Sequence, residues 1–337
     1  MSSNLTIAGN SIKPGTNTVL QVQLPALYTS TPLSMPVHVI RGRQVGPRLF
    51  VSAAIHGDEL NGLEIIRRLI KRVSARKISG TIIAIPVVNI YGMIQHTRYL
   101  PDRRDLNRSF PGSSTGSLAS RLANLLMTEI VSKCTHGIDL HTAATNRDNL
   151  PQIRADLEDK DTVDLAKAFG VPVIINSKMR DGSLREAARA IDINMLLYEA
   201  GEAMRLNENC IRAGVNGVLS VMRHLKMLPE FSSRQINKAK PYIARSSQWV
   251  RAPTSGIFRS KVRLGKEAKK QQKIGIIEDV SGCGQIRHVC APDEGIIIGK
   301  SHLPLVHEGD PLFHIAYFKE VNKVVDSLEE FEADQAL

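Results

Sequence analysis

From residue 48 onward, short apolar runs alternate with stretches whose apolar residues recur every three to four positions. "RLFVSAAI" (Arg48–Ile55) reads as a buried strand, and "ELNGLEIIRRLIKRV" then places Leu63, Ile66, Leu69, Ile70 and Val73 on one helical stripe. Further strands are predicted at "TIIAIPVVN", "GIDLH", "VPVII" and "INMLLYE", with helices beginning near Leu118, Asp161, Ser183 and Arg205. Strands that alternate with helices in this way predict an α/β sheet covered on both faces. Ahead of it, "TVLQVQLPAL" and "MPVHVIRG" alternate residue by residue and predict antiparallel edge strands. The pattern changes near residue 228, where helical periodicity gives way to short glycine-punctuated runs. An internal echo, "APTSGIF" at Ala252 and "APDEGII" at Ala291, predicts two similar β half-units. The expected organisation is an α/β body over 1–228 with its edge strands at 17–47, a β-rich part over 229–325 and a frayed acidic tail over 326–337.

Several apolar runs end on residues that are costly to bury unpaired. The first reaches His56 and, three positions on, Glu59; "GIDLHT" reaches His141; "INMLLYEAG" reaches Glu199. In open α/β folds the carboxyl ends of the strands are where ligands bind. Two imidazoles and a carboxylate converging there form a donor set suited to zinc. Between the second strand and the next helix runs a long segment, Asn89–Gly112, rich in Arg and Asp. Segments of this length inside a compact domain are often functional. Arg98, Asn107 and Arg108 within it offer donors for a carboxylate or a developing oxyanion.

Composition narrows the classes. The 337 residues carry a formal net charge of +11, concentrated in Arg67–Lys77 and Arg259–Lys273. With a single tryptophan and 4% aromatic residues, base-stacking surfaces are not expected, which argues against nucleic acid as a partner. No window approaches the roughly 20 apolar residues of a membrane span, and the first residues lack a signal-peptide pattern, so a cytoplasmic protein with no membrane partner is expected. Four scattered cysteines do not form a disulfide framework. Self-association is left open; His96 neighbours the arginine-rich segment and could approach the site, and the other histidines outside the cluster, His314 among them, have no partner at ligand spacing.

In their order along the chain, His56-x-x-Glu59, Arg98, "DLNRSFPG" with Asn107 and Arg108, His141 and the Glu199 of "EAG" resemble the succinylglutamate desuccinylase/aspartoacylase family, within the wider group of zinc carboxypeptidases. The resemblance covers roughly residues 35–228. It implies a carboxypeptidase-like α/β/α sandwich with a mixed sheet, and one Zn2+ per chain held by His56, Glu59 and His141. Asp105 would accept from His56, Glu199 would be the general base, and Arg98 would polarise the scissile carbonyl. Asn107 and Arg108 would grip the carboxylate of a small anionic N-acyl amino acid, with Arg189, ten positions before Glu199, as a further contact. The implied activity is amide hydrolysis, a deacylation; a zinc carboxypeptidase acting on a peptide or modified amino acid is the alternative. The C-terminal part resembles the barrel-sandwich fold of biotinyl and lipoyl domains, but neither Lys266 nor Lys300 sits in a carrier-lysine setting.

Overall fold

A computed structural model describes residues 4–177, 179–230 and 240–336. A small hairpin, β1 (Leu5–Ile7) and β2 (Asn10–Ile12), precedes the main sheet. The strands β3 (Thr16–Leu24), β4 (Leu33–Arg41), β5 (Gln44–Ala53) and β6 (Ser79–Ile85) enclose helix α1 (Asn61–Arg72) in sequence. After α2 (Ile90–Ile94) and α3 (Leu118–Glu129) come β7 (His136–Ala143), β8 (Arg147–Ala155), α4 (Lys160–Phe169), β9 (Val173–Asn176), α5 (Leu184–Arg189), β10 (Asn194–Glu202) and α6 (Glu208–His224). Strands β6, β5, β7 and β10 run parallel, while β3 and β4 add antiparallel at one side. The fold is therefore mixed α/β. Apolar residues fill both sides of the sheet: Ile65, Ile66 and Leu69 of α1 join one core, and Leu122 and Leu126 of α3 join the other.

Strand β8, "RDNLPQIRA", was not expected from the sequence. Its polar residues and central Pro151 hide the strand pattern, yet it inserts antiparallel beside β10. It is also the seam to the C-terminal part. There, β11 (Tyr242–Ala244) pairs with β9, and β12 (Ser246–Arg251), β13 (Gly256–Ser260), β14 (Glu267–Ala268), β15 (Lys273–Glu278), β16 (Arg287–Cys290), β17 (Gly295–Ser301), β18 (Leu305–Val306) and β19 (Pro311–Tyr317) follow. The main sheet continues without a break from β8 through β17 and β19 to β12. A second sheet, β16-β15-β13-β18, packs on it through Phe258, Ile277, Val289, Ile297, Phe313 and Ile315. Of the expected barrel-sandwich module, two facing sheets are present, one of them shared with the main sheet, and no closed barrel forms among the described residues.

The acidic tail is a correction. Residues Val321–Ala336 form helix α7, which buries Val324, Leu328 and Phe331 against the sheet and α6. Asp326, Glu329 and Glu330 lie between these apolar positions, so an amphipathic stripe reads as a charged tail when only its composition is weighed.

One contact positions the site. A Cβ placed on Gly62 would come within 2.7 Å of Ala53 Cβ and 2.8 Å of Leu140 Cβ. Lacking it, the first turn of α1 seats directly on β5 and β7, and Glu59 just before that turn is brought to the strand ends.

Candidate active site

Parallel pairing sets the first relation. Glu199 on β10 stands in register with His141 on β7, and Ser52 on β5 with Asp139 on β7. Neighbours in register on parallel strands point to the same face. His56 lies three residues beyond the end of β5, in the turn that leads to α1, rather than on the strand itself.

Glu59 divides its carboxylate between the two imidazoles. Oε1 is 2.6 Å from His56 Nδ1 and Oε2 is 2.8 Å from His141 Nδ1, and Oε2 also accepts from the backbone N–H of Thr142 at 3.0 Å. All three side chains are buried, and one donor atom from each lies within 4.8 Å of the others. Each imidazole is backed by a carboxylate at its other nitrogen: Asp105 Oδ1 is 3.1 Å from His56 Nε2, and Asp139 Oδ2 is 2.6 Å from His141 Nε2. Ser52 Oγ donates to the second oxygen of Asp139 at 2.8 Å. This arrangement fixes both rings with Nδ1 turned toward Glu59. Two nitrogens and a carboxylate, with the outer nitrogens held by carboxylates, suit a divalent cation such as zinc.

The charges follow from this packing. Burial opposes protonation of His56, but Glu59 and Asp105 outweigh it and raise its pKa. Burial acts the same way on His141, where Asp139 and Glu59 raise it well above the ordinary histidine value. Glu59 is buried as well, yet the two imidazoles hold its carboxyl far below the usual range.

Around the cluster is a cavity of about 230 Å³. Arg98 enters it from the 89–112 segment, donating from Nη2 to Asp105 Oδ2 at 2.9 Å with Nη1 3.6 Å from Glu59 Oε1. That segment is ordered by α2 and by a single 3-10 turn, Leu106–Arg108, which Asp105 caps by accepting from Asn107 N–H at 2.8 Å. Asn107 and Arg108 line the cavity, with Asn107 Oδ1 accepting from Leu184 N–H at 2.9 Å. Glu199 faces the cavity too, where Asn149 Nδ2 donates to its Oε2 at 2.5 Å and Arg154 Nη2 is 3.4 Å away.

Arg189 is a correction. It is the last residue of α5, its side chain 42% exposed and 3.9 Å from Asp156, and it does not line the cavity. Arg185, one turn nearer the site, does line it; burial and the neighbouring Arg154 lower its pKa to about 10. The sequence reading also missed Asp139, Asn149, Arg154 and Trp249. Asp139 was legible, since two residues before His141 on a strand is the same face. Asn149 and Arg154 lie on the strand that was not expected.

The fold and cluster define a mixed α/β protein with a metal-competent site at the ends of parallel strands. The model of the succinylglutamate desuccinylase/aspartoacylase catalytic domain matches residues 45–225, more than half of the chain, and the chain belongs to that family. It is 24% identical over 306 residues to the N-alpha-acetyl-L-2,4-diaminobutyric acid deacetylase of Halomonas elongata, covering 87% of each chain. Its structure is similar to a succinylglutamate desuccinylase/aspartoacylase from Rhodobacter sphaeroides, with a TM-score of 0.81, 25% identity, and 90% of this chain and 96% of that one covered. The product-bound ectoine utilization protein EutE (DoeB) of Ruegeria pomeroyi also matches at a TM-score of 0.81 and 22% identity, over 91% of this chain and 97% of that one.

Proposed function

We propose that the protein is a zinc-dependent hydrolase that cleaves the amide bond of a small N-acyl amino acid, using one Zn2+ per chain. The observation that carries this reading is the Glu199–His141 register, which sets an uncommitted-to-metal carboxylate beside a His–Glu–His donor set. Family membership and the deacetylase name of the Halomonas elongata relative support the reaction class.

His56 Nδ1, His141 Nδ1 and a Glu59 oxygen would hold the ion. When bound, zinc supplies Lewis acidity and brings the pKa of water down from about 15.7 toward 7. The chain's own groups do the rest. Asp105 and Asp139 keep both Nδ1 atoms aimed inward. Arg98, steadied by Asp105, offers its guanidinium to the scissile carbonyl as negative charge develops on oxygen. Asn107 and Arg108 bind the substrate carboxylate. Glu199, oriented by Asn149 and Arg154, accepts the proton of the attacking water and returns it to the departing amine. The products are a carboxylate and a free amine.

Glu199→Gln is expected to keep stoichiometric zinc while kcat falls by about a hundredfold or more. Metal analysis together with a hydrolysis panel over acetyl, succinyl and longer acyl amino acids, with dipeptides alongside, checks the reading. Wild-type turnover in Glu199→Gln would remove that residue from the role, and cleavage of dipeptides alone would favour a carboxypeptidase.

A further inference from the structure

One buried amide links the turn that carries Glu59 to the strand that carries Glu199. Asn61 is the first residue of α1, two positions after Glu59, and it is 1% exposed. An asparagine at a helix start ordinarily turns its side chain back onto the N–H groups of its own helix. Here Leu60 holds the cap position without a side-chain bond, and the Asn61 amide reaches outward instead. Its Nδ2 donates to the carbonyl of Ala200 at 3.0 Å, and its Oδ1 accepts from the backbone N–H of Asn207 at 2.9 Å. These partners lie 139 and 146 residues further along the chain. Ala200 directly follows Glu199, and Asn207 caps α6 by accepting from Cys210 N–H at 3.2 Å.

The strand ladder stops being regular where this bond falls. β10 keeps its pairing as far as Glu199, which stands in register with His141 on one side and Gln152 on the other. Beyond Glu199 the register slips on both sides: the next pair with β7 is Glu202 with Ala143, and the next with β8 is Gly201 with Asn149. A slip of this kind bends a strand and re-aims its side chains. Gly201 takes a φ of +77° at the bend, and a Cβ on it would stand 2.5 Å from Asn61 Nδ2. Both the backbone angle and the neighbouring amide therefore call for glycine. A backbone bond from Met204 N–H to the carbonyl of Asp58, at 2.8 Å, closes the same junction. The Glu59 carboxylate has separate support, from the two imidazoles and from Thr142 N–H.

We propose that Asn61 is a positioning residue that fixes the Glu199 carboxylate relative to the His56, Glu59 and His141 donors, so that this amide governs the rate of proton transfer and not the affinity for the ion. This rests on the amide-hydrolase reading above. Two adjacent residues then divide the task. Gly62 seats the Glu59 turn on β5 and β7, and Asn61 ties the end of β10 to that turn. A base must come within about 3 Å of the proton it takes, and a misplacement of about 1 Å costs about a hundredfold in rate.

The test uses the zinc-loaded full chain and the N-acyl amino acid that the hydrolysis panel favours. Asn61→Ala places a good helix former at the first position of α1. It is expected to lower kcat per bound zinc by about 10- to 100-fold, with KM and zinc affinity close to wild type. Gly201→Ala pushes the same amide aside and also lowers kcat. Because both losses pass through one contact, the double variant is no slower than the slower single variant. An amide that only stabilised the fold would lower the urea midpoint of Asn61→Ala and leave kcat per bound zinc at the wild-type value, and that result overturns the proposal. So does a loss confined to KM or to zinc affinity, or losses that multiply in the double variant. Hydrogen exchange reads the anchor without turnover. Asn61→Ala is expected to speed exchange over residues 199–204 and to leave residues 49–53 of β5 unchanged; equal exchange in variant and wild type overturns the anchoring. If wild type hydrolyses no amide, the parent reading falls, and exchange alone then decides whether Asn61 holds this strand end.

Discussion

Asp105 and Asp139 stand behind the two histidines as a matched pair, and only the first was foreseen. Each fixes an imidazole by its outer nitrogen and strengthens it as a donor. Asp139→Asn is therefore expected to weaken zinc binding by about 10- to 100-fold, read by titration against a competing chelator, with the fold retained because Ser52 still reaches the side-chain oxygen. The core of the site was legible because apolar strands rarely end on His or Glu without a partner: His56, Glu59, His141 and Glu199 do converge. Arg189 was misplaced because spacing alone fixes neither where a helix ends nor which arginine its last turn brings inward. Asn149 and Arg154 were hidden with their strand.

Helix α1 carries two demands that its amphipathic pattern does not reveal. Its first turn must lie flush on β5 and β7, which Gly62 permits. Gly62→Ala introduces a methyl group where the neighbouring Cβ atoms leave no room. It is expected to cost about 1–3 kcal/mol of stability and to reduce zinc affinity by moving Glu59, both measurable by urea unfolding and chelator competition. Its outer face is tied down by charge. Glu64 accepts from Arg67 and Arg68, and Arg68 also donates to Glu208 of α6 at 2.6 and 2.8 Å. The hydrogen bond from Arg67, ahead of that from Arg68, holds the Glu64 carboxyl at about 2, against 4.5 ordinarily. A depressed folded-state pKa contributes stability that is present above 4.5 and lost as pH falls through about 2. Urea unfolding of Glu64→Gln is accordingly expected to show a shallower loss of stability than wild type over that acid range, with little change in slope above it. These arginines formed part of the basic run read from the sequence, and two of its six cations, Arg67 and Arg68, are paired with neighbouring acids.

The sequence reading divides the chain at residue 228; in the structure α6 ends at His224, and among the described residues β-strands follow until α7. What periodicity could not convey is hydrogen bonding between distant strands. β17 pairs with β8, and β11 with β9, so the two parts share one sheet. Helix α7 then returns to cover that sheet with Leu328, 2% exposed. Leu328→Ala is expected to destabilise the protein by about 2–5 kcal/mol, with loss of the single unfolding transition's midpoint rather than appearance of a second one; a mutation in a frayed tail would leave thermal melting untouched. The continuity of the sheet also bears on how the protein is made. By the time a ribosome has delivered residue 202, all four groups of the proposed hydrolytic centre exist, but the opening residues of β8 still wait for Gly299–Ser301 as their hydrogen-bonding neighbours. Through the synthesis of nearly a hundred further residues the growing chain carries an unpaired strand margin beside its site, and that margin is covered only once β17 has been made.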